Sequence, residues 1–170
     1  MKIIVAIDSF KGSLASLTAG ETAASAAREV FPEAEVEVFP LADGGEGTVD
    51  ALVAGLRGEV VQLSVTGPLE KPVESRFGFL PATHTAVIEM ADAAGLPLVP
   101  EKERDPRRTT TYGLGELMLA AIDRGCRDFI IGIGGSATND CGLGMLTALG
   151  ARFFDAAGKG GGRAGGGAGA

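Results

Sequence analysis

Lys11 stands in the stretch DSFKGS, residues 8–13, with Asp8, Ser9, Gly12 and Ser13 around it. An ammonium offsets phosphate charge, and a carboxylate binds a divalent cation or accepts a hydroxyl proton. A glycine lets backbone approach closely, and together these are the parts that phosphoryl transfer uses. The same letters also fit a plain strand-to-helix loop in which Asp8 or Ser13 caps the helix and Lys11 is solvated. The stretch is not a P-loop, because GxxxxGK[ST] is absent.

Two further stretches carry similar chemistry. In ADGGEGT, residues 42–48, Gly44, Gly45 and Gly47 permit positive φ, so that successive N–H groups can face an anion, while Asp43 and Glu46 can reach a cation or a hydroxyl. A glycine turn with a helix-capping carboxylate fits it equally. In IIGIGGSATNDCGLGML, residues 130–146, Gly132, Gly134 and Ala137 follow an apolar run as G-x-G-x-x-A. Asp155 comes at roughly the ~20-residue distance at which a dinucleotide fingerprint places its ribose-binding acid. Against that reading, Gly142 and Gly144 would each cost a helix interior up to about 1 kcal/mol relative to alanine, so the helix is expected to start late. A long loop bearing Ser136, Thr138, Asn139 and Asp140 suits a phosphate or polyol better than a dinucleotide, which stays as the alternative.

Other residues are weaker candidates. His84, the single histidine, reads as a turn residue; Glu89 and Asp92 end a predicted strand and either line a cleft or cap a helix. The hydroxyls of TTTYGLGE, residues 109–116, read as N-caps. Arg107 and Arg108 belong to a charged surface loop or meet an anion.

The elements that must position these loops are those of an α/β chain. KIIVAI, residues 2–7, is a β-branched run expected to be a strand buried on both faces. Thr18 and Glu21 have capping-box spacing ahead of a helix that ends at Pro32, and residues 34–42 alternate as a second strand, which makes a βαβ unit. TVDALVAGL is a short helix. Residues 59–67 and 73–81 are two strands around the turn PLEKP, and TAVIEMADAAGL is a strand running into a loop. Residues 114–125 are a helix ended by Gly125, RDFIIGI is a buried strand, and GARFF is one more. A change of pattern near residues 75–80 suggests lobes over 1–78 and 79–157, followed by a Gly-rich low-complexity tail over 158–170.

The chain has 170 residues, enough for one domain or one domain plus part of a second. Its formal charge of -7 repels nucleic acid and anionic membrane surfaces. Cys126 and Cys141 lack metal-ligand spacing and are expected to be reduced, which suits the cytoplasm. The start has too short an apolar run for a signal sequence, and no window reaches the roughly 18 apolar residues of a membrane helix.

Five blocks, IVAIDSFKGSL, PLADGGEGTVDAL, VIEMADAAGL, TTYGLGEL and IGIGGSATND, resemble in this order the bacterial glycerate kinase family. The resemblance implies two α/β lobes around a cleft: a parallel-sheet, flavodoxin- or Rossmann-like N-terminal lobe and a second α/β lobe. It implies phosphorylation of D-glycerate by ATP with Mg²⁺, to the 2- or the 3-phosphoglycerate. The cleft residues carried over are Asp8, Ser9, Lys11, Asp43, Glu46, Ser136, Asn139 and Asp140, joined by Ser13, Gly44, Gly45 and Thr138 of the same loops. Lys11 is expected to offset phosphate charge and Asp8, Asp43 or Asp140 to hold the metal, with residues 136–140 on glycerate or phosphate. In two respects the chain departs from the family: Cys141 stands where the family usually has glycine after Asn-Asp, and the family is more than twice as long. The chain thus resembles the N-terminal part, with binding of glycerate or an anion without turnover as the other reading.

Overall fold

A computed structural model of the chain describes residues 1–10, 13–154 and 158. Lys11, Gly12, Asp155 and the rest of the Gly-rich tail lie outside the described residues, and with them the expectations placed on them.

Strand β1 (Lys2–Ile7) pairs in parallel with β2 (Glu35–Pro40), from Lys2 opposite Glu35 to Ile7 opposite Pro40. Between them runs helix α1 (Ser16–Val30), which lays Ala19, Gly20 and Ala24 on the sheet. Small residues are needed there, since a Cβ on Gly20 would stand 2.5 Å from Val38 Cγ1. The expected capping box does not form: the helix begins before Thr18, and its N-cap, Ala15, makes no side-chain bond. Ser16 explains the early start. Its hydroxyl donates to the Ile7 carbonyl at 2.7 Å and accepts from Leu41 N–H at 3.0 Å, so a tertiary bond between two strand ends fixes the helix start.

The expectation that β1 is buried on both faces also fails. Its residues alternate half-buried and exposed, and Ile4 is 60% exposed. With α1 covering one face of this pair, the period of two turns Lys2, Ile4 and Ala6 outward.

Helix α2 (Thr48–Leu56) leads to a second sheet of β3 (Glu59–Thr66), β4 (Pro72–Leu80), β5 (Thr85–Glu89) and β6 (Asp128–Gly132), in that spatial order. The first three are antiparallel neighbours, whereas β5 and β6 run parallel, with Glu89 opposite Gly132. The change of pattern near residues 75–80 falls inside β4, in the middle of this ladder; the change of sheet falls between β2 and β3. Both faces of the sheet carry a core. On one, Val49 of α2 meets Leu80 and Val87. On the other, Phe77, Ala86 and Ile88 pack against Leu114, Leu117 and Ala121 of helix α4 (Tyr112–Asp123).

Three local expectations need correction. The chain after β5 does not enter a loop but passes directly into helix α3 (Met90–Ala94), then a 3-10 turn over Leu96–Leu98. Strand β6 is an edge strand with one open face, Ile130 being 42% exposed, so it is not buried on both sides. Residues 150–154 form no named strand: the chain leaves helix α5 (Leu143–Ala148) through Gly150 at φ 97°, and Phe154 alone of them takes a bridge position.

Candidate functional site

Parallel pairing decides where the polar loops emerge. Asp8 and Leu41 follow the carboxyl ends of β1 and β2, while α3 and the loop after Gly132 follow those of β5 and β6. Loops and helix N-termini of open α/β sheets bind ligands at such ends.

The two glycine loops meet backbone to backbone. Gly134 N–H donates to the Gly44 carbonyl at 3.0 Å. A Cβ on Gly132 would lie 2.5 Å from Gly44 O, and one on Gly134 would lie 2.8 Å from Gly45 Cα. The G-x-G spacing therefore admits a second backbone, and the glycines that would approach a pyrophosphate in a dinucleotide fold are already covered by loop 43–47. Helix α5 starts at Leu143, behind Gly142 at φ 73°, later than a dinucleotide fingerprint requires. The oxidoreductase alternative loses its physical basis here.

Within loop 43–47, Asp43 Oδ1 accepts from Gly45 N–H at 3.0 Å, and Gly44 and Gly47 take φ 91° and 93°. Asp43 and Glu46 are exposed. The loop's far end is held from below by Glu89, a carboxylate only 2% exposed whose Oε1 accepts from Val49 N–H at 2.7 Å. Burial pushes the Glu89 carboxyl above its ordinary range, and the Val49 hydrogen bond opposes this. Beside it Arg76 forks onto Asp50 at 2.7 and 2.9 Å and reaches Asp92 at 3.2 Å. Burial likewise raises the Asp92 carboxyl, with Arg76 opposing and Asp50 and Glu46 adding to the rise. Glu89 and Asp92 thus belong to the support beneath the loop.

Loop 132–142 is held from three sides. Ala137 N–H donates to Ala94 O at 2.9 Å, Leu96 N–H to Gly135 O at 2.8 Å, and Thr109 Oγ1 to Ala137 O at 2.8 Å. Ser136 and Thr138 hydroxyls are 2.8 Å apart, and Thr138 N–H donates to Ser136 Oγ. With exposed Asn139 they rim a pocket whose floor is apolar, including Met90, Leu114 and Ile131. Asp140, 1% exposed, accepts at Oδ2 from Thr111 N–H, Thr111 Oγ1 and Gly144 N–H, and at Oδ1 from Gly142 N–H. Cys141 is exposed at φ 54°, so the residue after Asp140 carries a side chain in the left-handed region.

Of the stretch after β1, residues 8–10 and 13 are described. Asp8 is exposed and its Oδ1 accepts from Ser9 N–H; Ser13 is exposed, and its N–H donates to Phe10 O at 2.8 Å. Among the described residues, the Leu41 N–H to Ser16 Oγ bond joins the start of α1 to the chain that leads into loop 43–47. The remaining candidates stand apart: His84 sits in the β4–β5 turn, its ring in a T-shaped contact with Phe79, and Arg107 forks onto nearby Asp105 at the surface.

The residues fit Mg²⁺ in one way only. Mg²⁺ keeps several waters and takes one or two carboxylates plus substrate phosphates. Asp8 and Asp43 are exposed, and the second oxygen of each has no partner among the described residues. Asp140 does not fit, since both its oxygens are engaged and it is buried. Among the described residues no group of three or more His, Cys, Asp or Glu side chains could hold a metal alone.

Sequence reasoning missed the roles of the threonines. Thr109, Thr110 and Thr111 are all buried, and Thr111, the N-cap of α4, makes no cap bond to its own helix. Its hydroxyl donates to Asp140 and accepts from Met145 N–H at 3.0 Å. Three consecutive threonines next to a helix start were the available signal, since one cap needs only one hydroxyl.

Comparison with known proteins shows the family of the chain. A sequence profile of the glycerate kinase family matches residues 3–169. The chain is 54% identical over 159 residues to a glycerate kinase of Bacillus subtilis, covering 94% of this chain and 42% of the relative. It is 49% identical to a glycerate 2-kinase of Escherichia coli over the same shares. A crystal structure from Salmonella typhimurium LT2, provisionally described as glycerate kinase 2, superposes with a TM-score of 0.88 at 49% identity, covering 98% of this chain and 45% of that one. The chain thus spans less than half the length of these relatives. Matched along nearly all of its own length, it belongs to the glycerate kinase family.

Proposed function

We propose that the protein acts in the transfer of the terminal phosphoryl group of ATP to a hydroxyl of D-glycerate, with loops 43–47 and 132–140 forming one cradle for the substrate and phosphate. The observation that carries this is the Gly134 to Gly44 hydrogen bond, which makes one surface of two loops from different sheets. In this reading the N–H groups around Gly44 and Gly45 face anionic oxygens, while Ser136, Thr138 and Asn139 hydrogen-bond the hydroxyls and carboxylate of glycerate. Glu46 borders the same cradle. Lys11 offsets phosphate charge, with Ser9 and Ser13 beside it as further donors. Asp8 and Asp43 would hold Mg²⁺, which supplies charge neutralisation on the phosphates when bound. Such transfer rests on positioning and on charge stabilisation, and little covalent chemistry is asked of the protein. The partners are then two small molecules in the cytoplasm. No helix among the described residues is long and apolar enough to cross a membrane.

The test is ADP release coupled to D-glycerate addition. Lys11→Ala should lower turnover by about 100-fold, the scale of losing one charge-stabilising donor. Unchanged turnover overturns the role of Lys11. D-Glycerate binding by calorimetry with no ADP release would instead support the binding-only reading, which the open Ile4 and Phe39 face of the first sheet also favours.

A further inference from the structure

We infer that within the run Thr138, Asn139, Asp140 the labour is divided: Asn139 touches the substrate, and Asp140 is a positioning residue that neither binds the metal nor meets the substrate. This rests on the proposed use of the pocket for D-glycerate.

The two side chains differ in every physical respect that matters. Asn139 is exposed on the pocket rim, whereas Asp140 is 1% exposed beneath it. A carboxylate offers about four acceptor sites. Asp140 takes four donors: Thr111 N–H and Thr111 Oγ1 at 2.8 Å each and Gly144 N–H at 3.1 Å on Oδ2, and Gly142 N–H at 3.0 Å on Oδ1. Both oxygens are engaged and the side chain is buried beneath the rim, so neither oxygen presents an open face to a cation or a substrate. Those donors come from the start of α4 and from the chain entering α5, so one anion clamps both helix starts to the loop. Thr111 completes the clamp, because its hydroxyl accepts from Met145 N–H while donating to Asp140. The clamp also closes the turn through Cys141 at φ 54°, and the residue on its other side is Asn139. Moving Asp140 therefore re-aims Asn139 and exposes Cys141 differently.

Cys141 makes this measurable without catalysis. It is the exposed thiol of the two cysteines, while Cys126 is buried, so its rate of reaction with a disulfide reagent such as DTNB in the folded chain reads the loop directly. Asp140→Asn, which places an NH₂ against N–H donors, should change that rate by about tenfold, the size of one lost buried hydrogen bond. Thr111→Val should do the same, and Thr111→Ser, which keeps the hydroxyl, should restore the parent rate. Asn139→Ala should leave the rate unchanged. In turnover assays Asn139→Ala and Asp140→Asn should both raise KM for D-glycerate without changing the Mg²⁺ concentration required, and the double variant should be no worse than the worse single one.

An Asp140→Asn variant with the parent Cys141 rate but a raised Mg²⁺ requirement would show a ligand and overturn the inference. If Asp140→Asn does not fold, the Thr111→Val and Thr111→Ser pair decides alone, and equal Cys141 rates in the two would overturn it. If the parent chain neither binds nor turns over D-glycerate, the assignment of Asn139 to substrate falls with the proposed function, while the thiol rates still decide whether Asp140 sets the loop.

Discussion

The two parallel strand pairs present loops of similar composition, yet they hold them differently. Around β5 and β6, loop 132–142 rests on α3, α4 and α5, with buried Asp140 and Thr109 bonded into it and a core on both sides of its sheet. Around β1 and β2, the sheet has two strands, one covered face and an exposed Ile4, and among the described residues Ser16 ties the two strand ends together through Ile7 O and Leu41 N–H. Composition alone therefore does not fix a glycine-rich loop. What fixes it is the buried polar group beneath it, which needs a packed layer to be buried in.

The junction between the two halves offers the largest way to break this contrast. Gly132→Ala would drive a Cβ against the Gly44 carbonyl, and overpacking of this kind costs about 2–3 kcal/mol. Urea denaturation should show that loss, together with altered amide signals in loop 43–47 as well as at the mutated site. A smaller change sharpens the same contrast from the other direction. Cys141→Gly removes a side chain from the left-handed region and should add about 0.5–1 kcal/mol of stability, the looser unfolded chain offsetting part of the gain.

The smallest effect concerns pH. Burial raises the Glu89 carboxyl above its ordinary value of 4.5, so the folded chain holds that proton more tightly than the unfolded one. The contribution of Glu89 to stability is therefore greatest at low pH and falls as pH rises from the ordinary value through the raised one. Glu89→Gln keeps an acceptor for Val49 N–H and carries no charge. Urea midpoints measured from pH 5 to about pH 8 should lose this part of their downward slope in the variant; identical slopes would show that Glu89 does not titrate in that window.

Much of the fold was legible because hydrophobic periodicity is local. TVDALVAGL is helix α2 residue for residue, and the two strands around PLEKP are β3 and β4. What was not legible came from groups far apart in the chain. Ser16 sets the start of α1 by bonding the ends of two strands, which no capping-box spacing can announce. Strand β1 reads as doubly buried because its letters after Lys2 are all apolar, but burial depends on what covers the sheet. At the site, the loop residues were readable as polar and glycine-rich. That Gly132 and Gly134 serve the approach of another loop, and that Asp140 is buried and bonded by Thr111, Gly142 and Gly144, follows only from three-dimensional contact.

The central claim is that loops 43–47 and 132–140 act as one cradle. A titration of the ¹⁵N-labelled chain with D-glycerate in the presence of magnesium and a nucleotide, followed through the amides of Gly44, Gly45, Ser136 and Asn139, tests it most directly. The account predicts that both loops shift together along a single binding curve. Shifts confined to one loop, or none in either, would contradict it.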